Sequence, residues 1–291
     1  MANQLKTLFL LGALSAVLIA IGGALGPGYL YGFTALALLM NVGAYFFSDR
    51  IVLRMSRAQP VTPAQAPELH RMVDEVARAA GIPKPRVFVI PEMQPNAFAT
   101  GRNPENGVVA VTEGIMQMLS PRELKGVIAH EIAHIRNRDI LVATVAAGIA
   151  AAVTYIANAA QFMAMFGGAR SDDEEGGSPI GALVMAFVAP VAATLIQLGI
   201  SRSREYLADE TAAKLTGDPE ALALALAKLE RGAQRIPAHV QPATASLFIV
   251  SPLSAGRSMM SWFSTHPPMQ ERIARLRGMN GRSDDLRTAS V

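Results

Sequence analysis

Cysteine is absent from this 291-residue chain. Its absence excludes a disulfide framework and any thiolate metal site, leaving imidazole and carboxylate as the available metal ligands. Charge is also scarce. Asp, Glu, Lys and Arg make up 17% of the residues, against about a quarter in an average soluble domain. Hydrophobic residues reach 51% and mean hydropathy is +0.29, too apolar for an ordinary soluble enzyme. Aromatics are only 6%, and no basic cluster is interleaved with them, which argues against a nucleic-acid partner. The pI of about 9.4 and net charge of +3 must therefore be read by location. No internal repeat is present.

What the chain does have is long apolar runs: Leu8–Leu25, Gly28–Phe47, Ile140–Phe166 and Pro179–Ile200. Each approaches or exceeds the ~20 residues a helix needs to cross a ~30 Å hydrocarbon core. Lys6 before the first run permits a signal peptide, but the immediate second run after Gly26-Pro27-Gly28 favours a helical hairpin. Arg50, Arg54 and Arg57 follow the second run, Arg136 and Arg138 precede the third, and Arg202 and Arg204 follow the fourth. The loop at 169–178 carries one basic and four acidic residues. Positive-inside counting then places both termini and residues 50–138 in the cytoplasm. The third and fourth runs have a second reading, as buried or partly embedded helices, because Asn158, Gln161, Pro190 and Gln197 fall inside them.

The polar part reads as α+β. Ser48–Gln65 is a connector broken by Pro60 and Pro63. Pro67–Ala79 has helical periodicity and stops at Gly81. Arg86–Ile90 and Gly107–Thr112 are strand-like, with turn-rich Asn96–Asn106 between them. Ser120, Pro121 and Glu123 form a capping box that starts a helix expected to continue beyond Asp139 into the membrane.

That helix carries His130-Glu131-Ile132-Ala133-His134, an HExxH motif. Residues four apart share one helix face, so both imidazoles can grip one metal ion while Glu131 takes a proton from water. A catalytic zinc needs a third protein ligand. The remaining histidines are His70, His239 and His266, and carboxylates cluster in Arg204-Glu205-Tyr206-Leu207-Ala208-Asp209-Glu210. The second hairpin returns this cluster to the level of the motif. Glu205 and Asp209 lie on one helix face, so one can ligate while the other orients an imidazole. A solvated juxtamembrane charge run is the bland alternative. His70 reads as solvated and His239 as a loop residue.

His130 through Asp139, Arg204-Glu205-Tyr206-Leu207-Ala208-Asp209 and Ser264-Thr265-His266-Pro267-Pro268-Met269-Gln270-Glu271-Arg272-Ile273 resemble the signatures of HtpX-type membrane zinc metalloproteases, relatives of the CAAX prenyl proteases. The resemblance covers nearly the whole chain, including Asn96-Ala97-Phe98-Ala99. It implies a predominantly helical α+β, zincin-like (gluzincin) catalytic domain with about four transmembrane helices. It further implies one Zn2+ per chain on His130, His134 and Glu205, with Glu131 as general base. Asp209, with Asp139 a weaker candidate, would support the ligands; His266 would stabilise the oxyanion; Arg272 matches the family arginine. One departure is Ser246, where many relatives carry His.

The expected protein is thus a zinc endopeptidase of the bacterial inner membrane, multi-pass, with a cytoplasmic active site. The resemblance implies quality control of damaged or misfolded membrane proteins under stress, often with autocleavage. Its partners are peptide or membrane-protein substrates and the lipid bilayer, not nucleic acid. An extended peptide is expected to add a strand at the Gly107–Thr112 edge, using Val109 and Val111, with Asn96 either presenting backbone or serving as an ordinary turn residue. The expected organisation is a transmembrane hairpin (1–47), two cytoplasmic halves of the catalytic domain (48–139 and 201–277), a second hairpin between them (140–200) and a flexible tail (278–291). Two rivals remain: an intramembrane or prenyl-peptide protease, and a scaffold holding a structural zinc.

Overall fold

The computed structural model describes residues 26–141, 144–145, 202–233 and 267–288, with isolated positions between 11 and 23; side chains of the last segment are described through Met279. Helix α1 (Pro27–Met55) is long and apolar enough to cross a membrane, by length and composition. Tyr29, Leu30, Tyr31, Leu36, Leu38, Leu39, Val42, Tyr45, Phe46 and Phe47 are exposed along it. Asn41 Nδ2 donates to Ser15 Oγ at 2.7 Å, tying the first apolar run to α1. The helix does not stop where the sequence predicts a connector. It continues to Met55 because Val52 and Leu53 are buried in a cluster with residues of the sheet.

Four strands follow the order β1 (Gln59–Pro60), β2 (Arg86–Ile90), β4 (Val108–Thr112), β3 (Ala97–Thr100) across the sheet. β2 and β4 are parallel; β3 pairs antiparallel with β4, and β1 with β2. This overturns the expected substrate edge. β4 is an interior strand, and Val109 and Val111 are fully buried. Its unbroken Val-Val-Ala-Val run is the mark of a strand covered on both faces. Among the described residues β1 and β3 are the outer strands, and β3 is hidden in what reads as a turn-rich loop because it is four residues long and closely followed by Gly101-Arg102-Asn103-Pro104. Asn96 is buried at its start, with its carbonyl accepting from Thr112 N–H at 2.9 Å.

One sheet face, with Val87, Ala97, Ala99, Val109 and Val111, packs into the main core with helices α2 (Pro67–Ala80) and α4 (Pro121–Arg136). The other, with Ile90, Phe98, Val108 and Ala110, clusters with Val52 and Leu53 of α1. Between β4 and α4 lies the short α3 (Glu113–Met118). α2 ends on Gly81 at φ 67°, the left-handed stop read from the sequence.

The expected capping box forms. Ser120 N–H donates to Glu123 Oε2 at 2.8 Å, and Lys228 donates to the same oxygen at 2.7 Å. α4 then packs against α2, α5 (Arg202–Thr216), α6 (Pro219–Ala233) and β3. Gly126 is required at the α4–α6 crossing, since a Cβ there would meet the Leu222 backbone N at 2.9 Å.

α4 does not run on beyond Asp139. It ends at Arg136, Arg138 turns left-handed at φ 56°, and Asp139 N–H folds back to the His134 carbonyl at 3.3 Å. α7 (Met269–Thr288) packs on α6 and α5, and stays helical past Gly278, where a flexible tail is predicted. Apart from a few residues at its start, the third apolar run lies outside the described residues, as does the fourth.

Candidate metal centre

His130 and His134 sit one turn apart on α4, and α5 brings Glu205 to them. One ligand atom from each of the three lies within 4.8 Å of the others. The two Nε2 atoms are 3.1 Å apart. Glu205 Oε2 is 3.6 Å from His130 Nε2, and Oε1 is 3.5 Å from His134 Nε2. Ligands about 2.0–2.1 Å from a tetrahedral zinc stand roughly 3.3 Å from one another, so the spacing suits that ion.

The opposite edge of each imidazole is held by a carboxylate. His130 Nδ1 lies 2.9 Å from Asp209 Oδ1, and His134 Nδ1 lies 3.1 Å from Asp139 Oδ2. Each Nδ1–H donates to its carboxylate, which turns both Nε2 lone pairs inward toward Glu205. A cation placed between the two Nε2 atoms and Glu205 would be within reach of all three. Two nitrogens and one carboxylate therefore fit a zinc ion.

Electrostatics agree. Burial acts to lower the His134 pKa, but Asp139, Glu205 and Glu131 outweigh it and push it up to about 10. His130 is likewise raised, with Asp209 and Glu205 overcoming burial. The site draws positive charge toward these rings.

Arg272, from α7, is completely buried. Its Nε and Nη2 donate to the two oxygens of Asp209 at 2.8 and 2.7 Å, and Nη1 lies 3.6 Å from Glu205 Oε2. Burial acts to raise the Asp209 pKa, yet Arg272 and His130 hold it below the ordinary carboxylate value. Asp209 therefore stays ionised as the acceptor that orients His130.

Glu131 is buried beside the two histidines, and burial raises its pKa toward the range useful to a general base. Its helix packs against strand β3. Of the residues expected at the site, His130, Glu131, His134, Glu205, Asp209, Asp139 and Arg272 come together. Val109 and Val111 do not, being interior to the sheet. His70 turns its Nε2 to the Val61 carbonyl at 2.9 Å. His266, His239 and Ser246 lie outside the described residues. One neighbour of the site is given no role there by the sequence. Arg204 stands near Asp139 and Glu205, visible in sequence only as the neighbour of a ligand.

Residues 63–280 match Peptidase family M48. A protein of Syntrophobacter fumaroxidans described as "Protease HtpX homolog" is 55% identical over 284 residues, covering 96% of this chain and 100% of its own. One of the same description from Aquifex aeolicus is 51% identical over 268 residues, covering 90% and 88%. Among solved structures, the crystal structure of S. mikatae Ste24p superposes with TM-score 0.52 at 18% identity over 94% of this chain. The match takes in 65% of that longer chain, and shows a shared fold alone.

Proposed function

The chain belongs to peptidase family M48 and is a zinc metalloprotease; from this premise we propose that it is a membrane endopeptidase whose catalytic residues are Glu131 and His266. We assign the zinc to His130, His134 and Glu205, and the finer fold to the zincin-like (gluzincin) class. The observation that carries this reading is the inward convergence of two Nε2 atoms and Glu205, with each Nδ1 held from behind by a carboxylate.

When bound, zinc supplies Lewis acidity that polarises a peptide carbonyl and acidifies a water. Glu131 takes the proton of the attacking water and passes it to the leaving amine. Asp209 and Asp139 keep the imidazoles in the correct tautomer, and Arg272 keeps Asp209 ionised. His266, which precedes the prolines leading into the helix of Arg272, donates to the oxyanion.

The substrate adds a strand to β3. Asn96 directs its carbonyl at β4, so the alternation of an antiparallel pair turns the backbone of Ala97 and Ala99 away from β4. Asn96 contributes by starting that strand. The length and exposed apolar surface of α1 support membrane residence. Charge bias in the sequence supports four spans, cytoplasmic termini and a cytoplasmic active site in the bacterial inner membrane. The substrates of such a site are damaged or misfolded membrane proteins, which makes the role quality control.

Glu131→Gln tests this. The variant keeps the shape and a hydrogen-bonding amide but cannot accept the proton. It should retain about one zinc per chain and lose casein cleavage by roughly 10²–10⁴-fold. Near-normal cleavage by the zinc-loaded variant would sink the mechanism.

A further inference from the structure

The edge strand beside the catalytic glutamate is fastened directly to the apolar helix. Phe98 of β3 shares a buried cluster with Val52 and Leu53 of α1. Two residues past the end of β3, the Arg102 guanidinium lies over the Phe46 ring at 5.5 Å. Arg86 on β2 pairs with Asp49 at 3.1 Å. Exposed large apolar side chains on α1 end at Phe47. β3 therefore descends from the level of Val52 toward that of Phe46, and it packs against α4, the helix that carries Glu131.

From these contacts we infer that the enzyme is a juxtamembrane ruler: it cuts extended segments lying next to a substrate's own transmembrane helix. The inference rests on the reading of the chain as a membrane protease and adds the substrate class. From Phe47 to Val52 and Leu53 the helix rises ~8 Å, at about 1.5 Å per residue. Phe98 shares the buried cluster of Val52 and Leu53, which sets β3 near that height. A chain leaving the bilayer fully extended covers the same height in about three residues. The height is fixed because α1 is one unbroken helix from Pro27 to Met55, whose final turns are packed in the Phe98 cluster.

Tethering adds selectivity. A segment close to the anchor reaches β3 without closing a long loop, and effective concentration falls roughly as the −3/2 power of tether length. Between the fifth and twenty-fifth residue beyond a transmembrane helix, that is about a tenfold decline.

The test uses the full chain with zinc, reconstituted into vesicles with a single-span substrate. Its transmembrane helix is followed by identical copies of one uncharged, cleavable sequence, and cut positions are mapped by mass spectrometry. The same repeat as a free peptide is assayed in detergent. The inference expects free peptide to be cut and vesicle cuts to concentrate in the first copy, about tenfold over a copy some twenty residues further out. Free peptide cut, with vesicle cuts spread evenly, favouring distal copies or missing, overturns the ruler while leaving the protease reading intact. No cleavage of either substrate overturns both.

Discussion

Asp209 Oδ1 lies 2.9 Å from His130 Nδ1, on the edge of the ring away from Glu205. Glu205 and Asp209 of α5, one turn apart, therefore approach the same histidine from different sides. Glu205 faces its Nε2 and Asp209 its Nδ1. Removing a ligand should strip the metal, whereas removing an orienting carboxylate typically weakens affinity only ~10–100-fold. Glu205→Ala should be largely metal-free after mild chelation. Asp209→Ala should still hold zinc, with lower activity and faster loss to a chromogenic chelator. The reverse order would exchange their roles.

Arg272 makes the Asp209 position possible. Its two parallel hydrogen bonds to one carboxylate suit a planar guanidinium, and a lysine supplies only a point charge. Arg272→Met leaves Asp209 buried without its main partner and should cost ~3–5 kcal/mol in unfolding free energy. Arg272→Lys should unfold at a temperature between wild type and Met, and release zinc faster than wild type. Equal melting temperatures for all three proteins would remove Arg272 from the support of the site.

Most of this centre is legible in the sequence because its chemistry is local. HExxH puts His130 and His134 on one helix face with Glu131 beside them by spacing alone, and Glu205 with Asp209 obeys the same four-residue rule. The capping box at Ser120 likewise declares itself in four residues. What the sequence hides depends on distant partners. β3 is a strand because β4 pairs with it, and β4 is interior because both its edges are taken, neither of which periodicity reveals. The end of α4 is set by Asp139 returning to His134, a competition between side-chain and helical hydrogen bonding that apolar patterning conceals.

Acid should weaken the start of α4. Burial acts to raise the Glu123 pKa, but Lys228 and Ser120 outweigh it and leave the pKa below its ordinary value. A depressed carboxylate contributes stability above its unfolded pKa and loses it as pH falls through the folded value. Glu123→Gln should therefore melt lower than wild type at pH 7, by about 1–3 kcal/mol for a hydrogen bond to a charged partner. The gap should shrink as pH drops below about 4.5. A gap that stays constant from pH 7 to 4 would assign the loss to shape, not charge.

Gly126 and Gly278 are both helical glycines, and alanine should act on them in opposite directions. In an open helical position, Gly→Ala gains up to ~1 kcal/mol from helix preference and reduced freedom of the unfolded chain. At Gly278 a Cβ would meet nothing within 4 Å, so Gly278→Ala should raise the melting temperature slightly. At Gly126 the same methyl meets backbone of α6, Leu222 N at 2.9 Å and Cα at 3.1 Å, which no side-chain rotation can relieve. Forcing the helices apart costs about 1–3 kcal/mol, which outweighs the helix gain. His130 lies one turn further along α4, so the displacement also reaches the metal ligands. Gly126→Ala should melt lower, cleave more slowly and lose zinc faster than wild type. A melting temperature at or above wild type would show that α4 and α6 tolerate the wider spacing, and that the close crossing is not what positions His130.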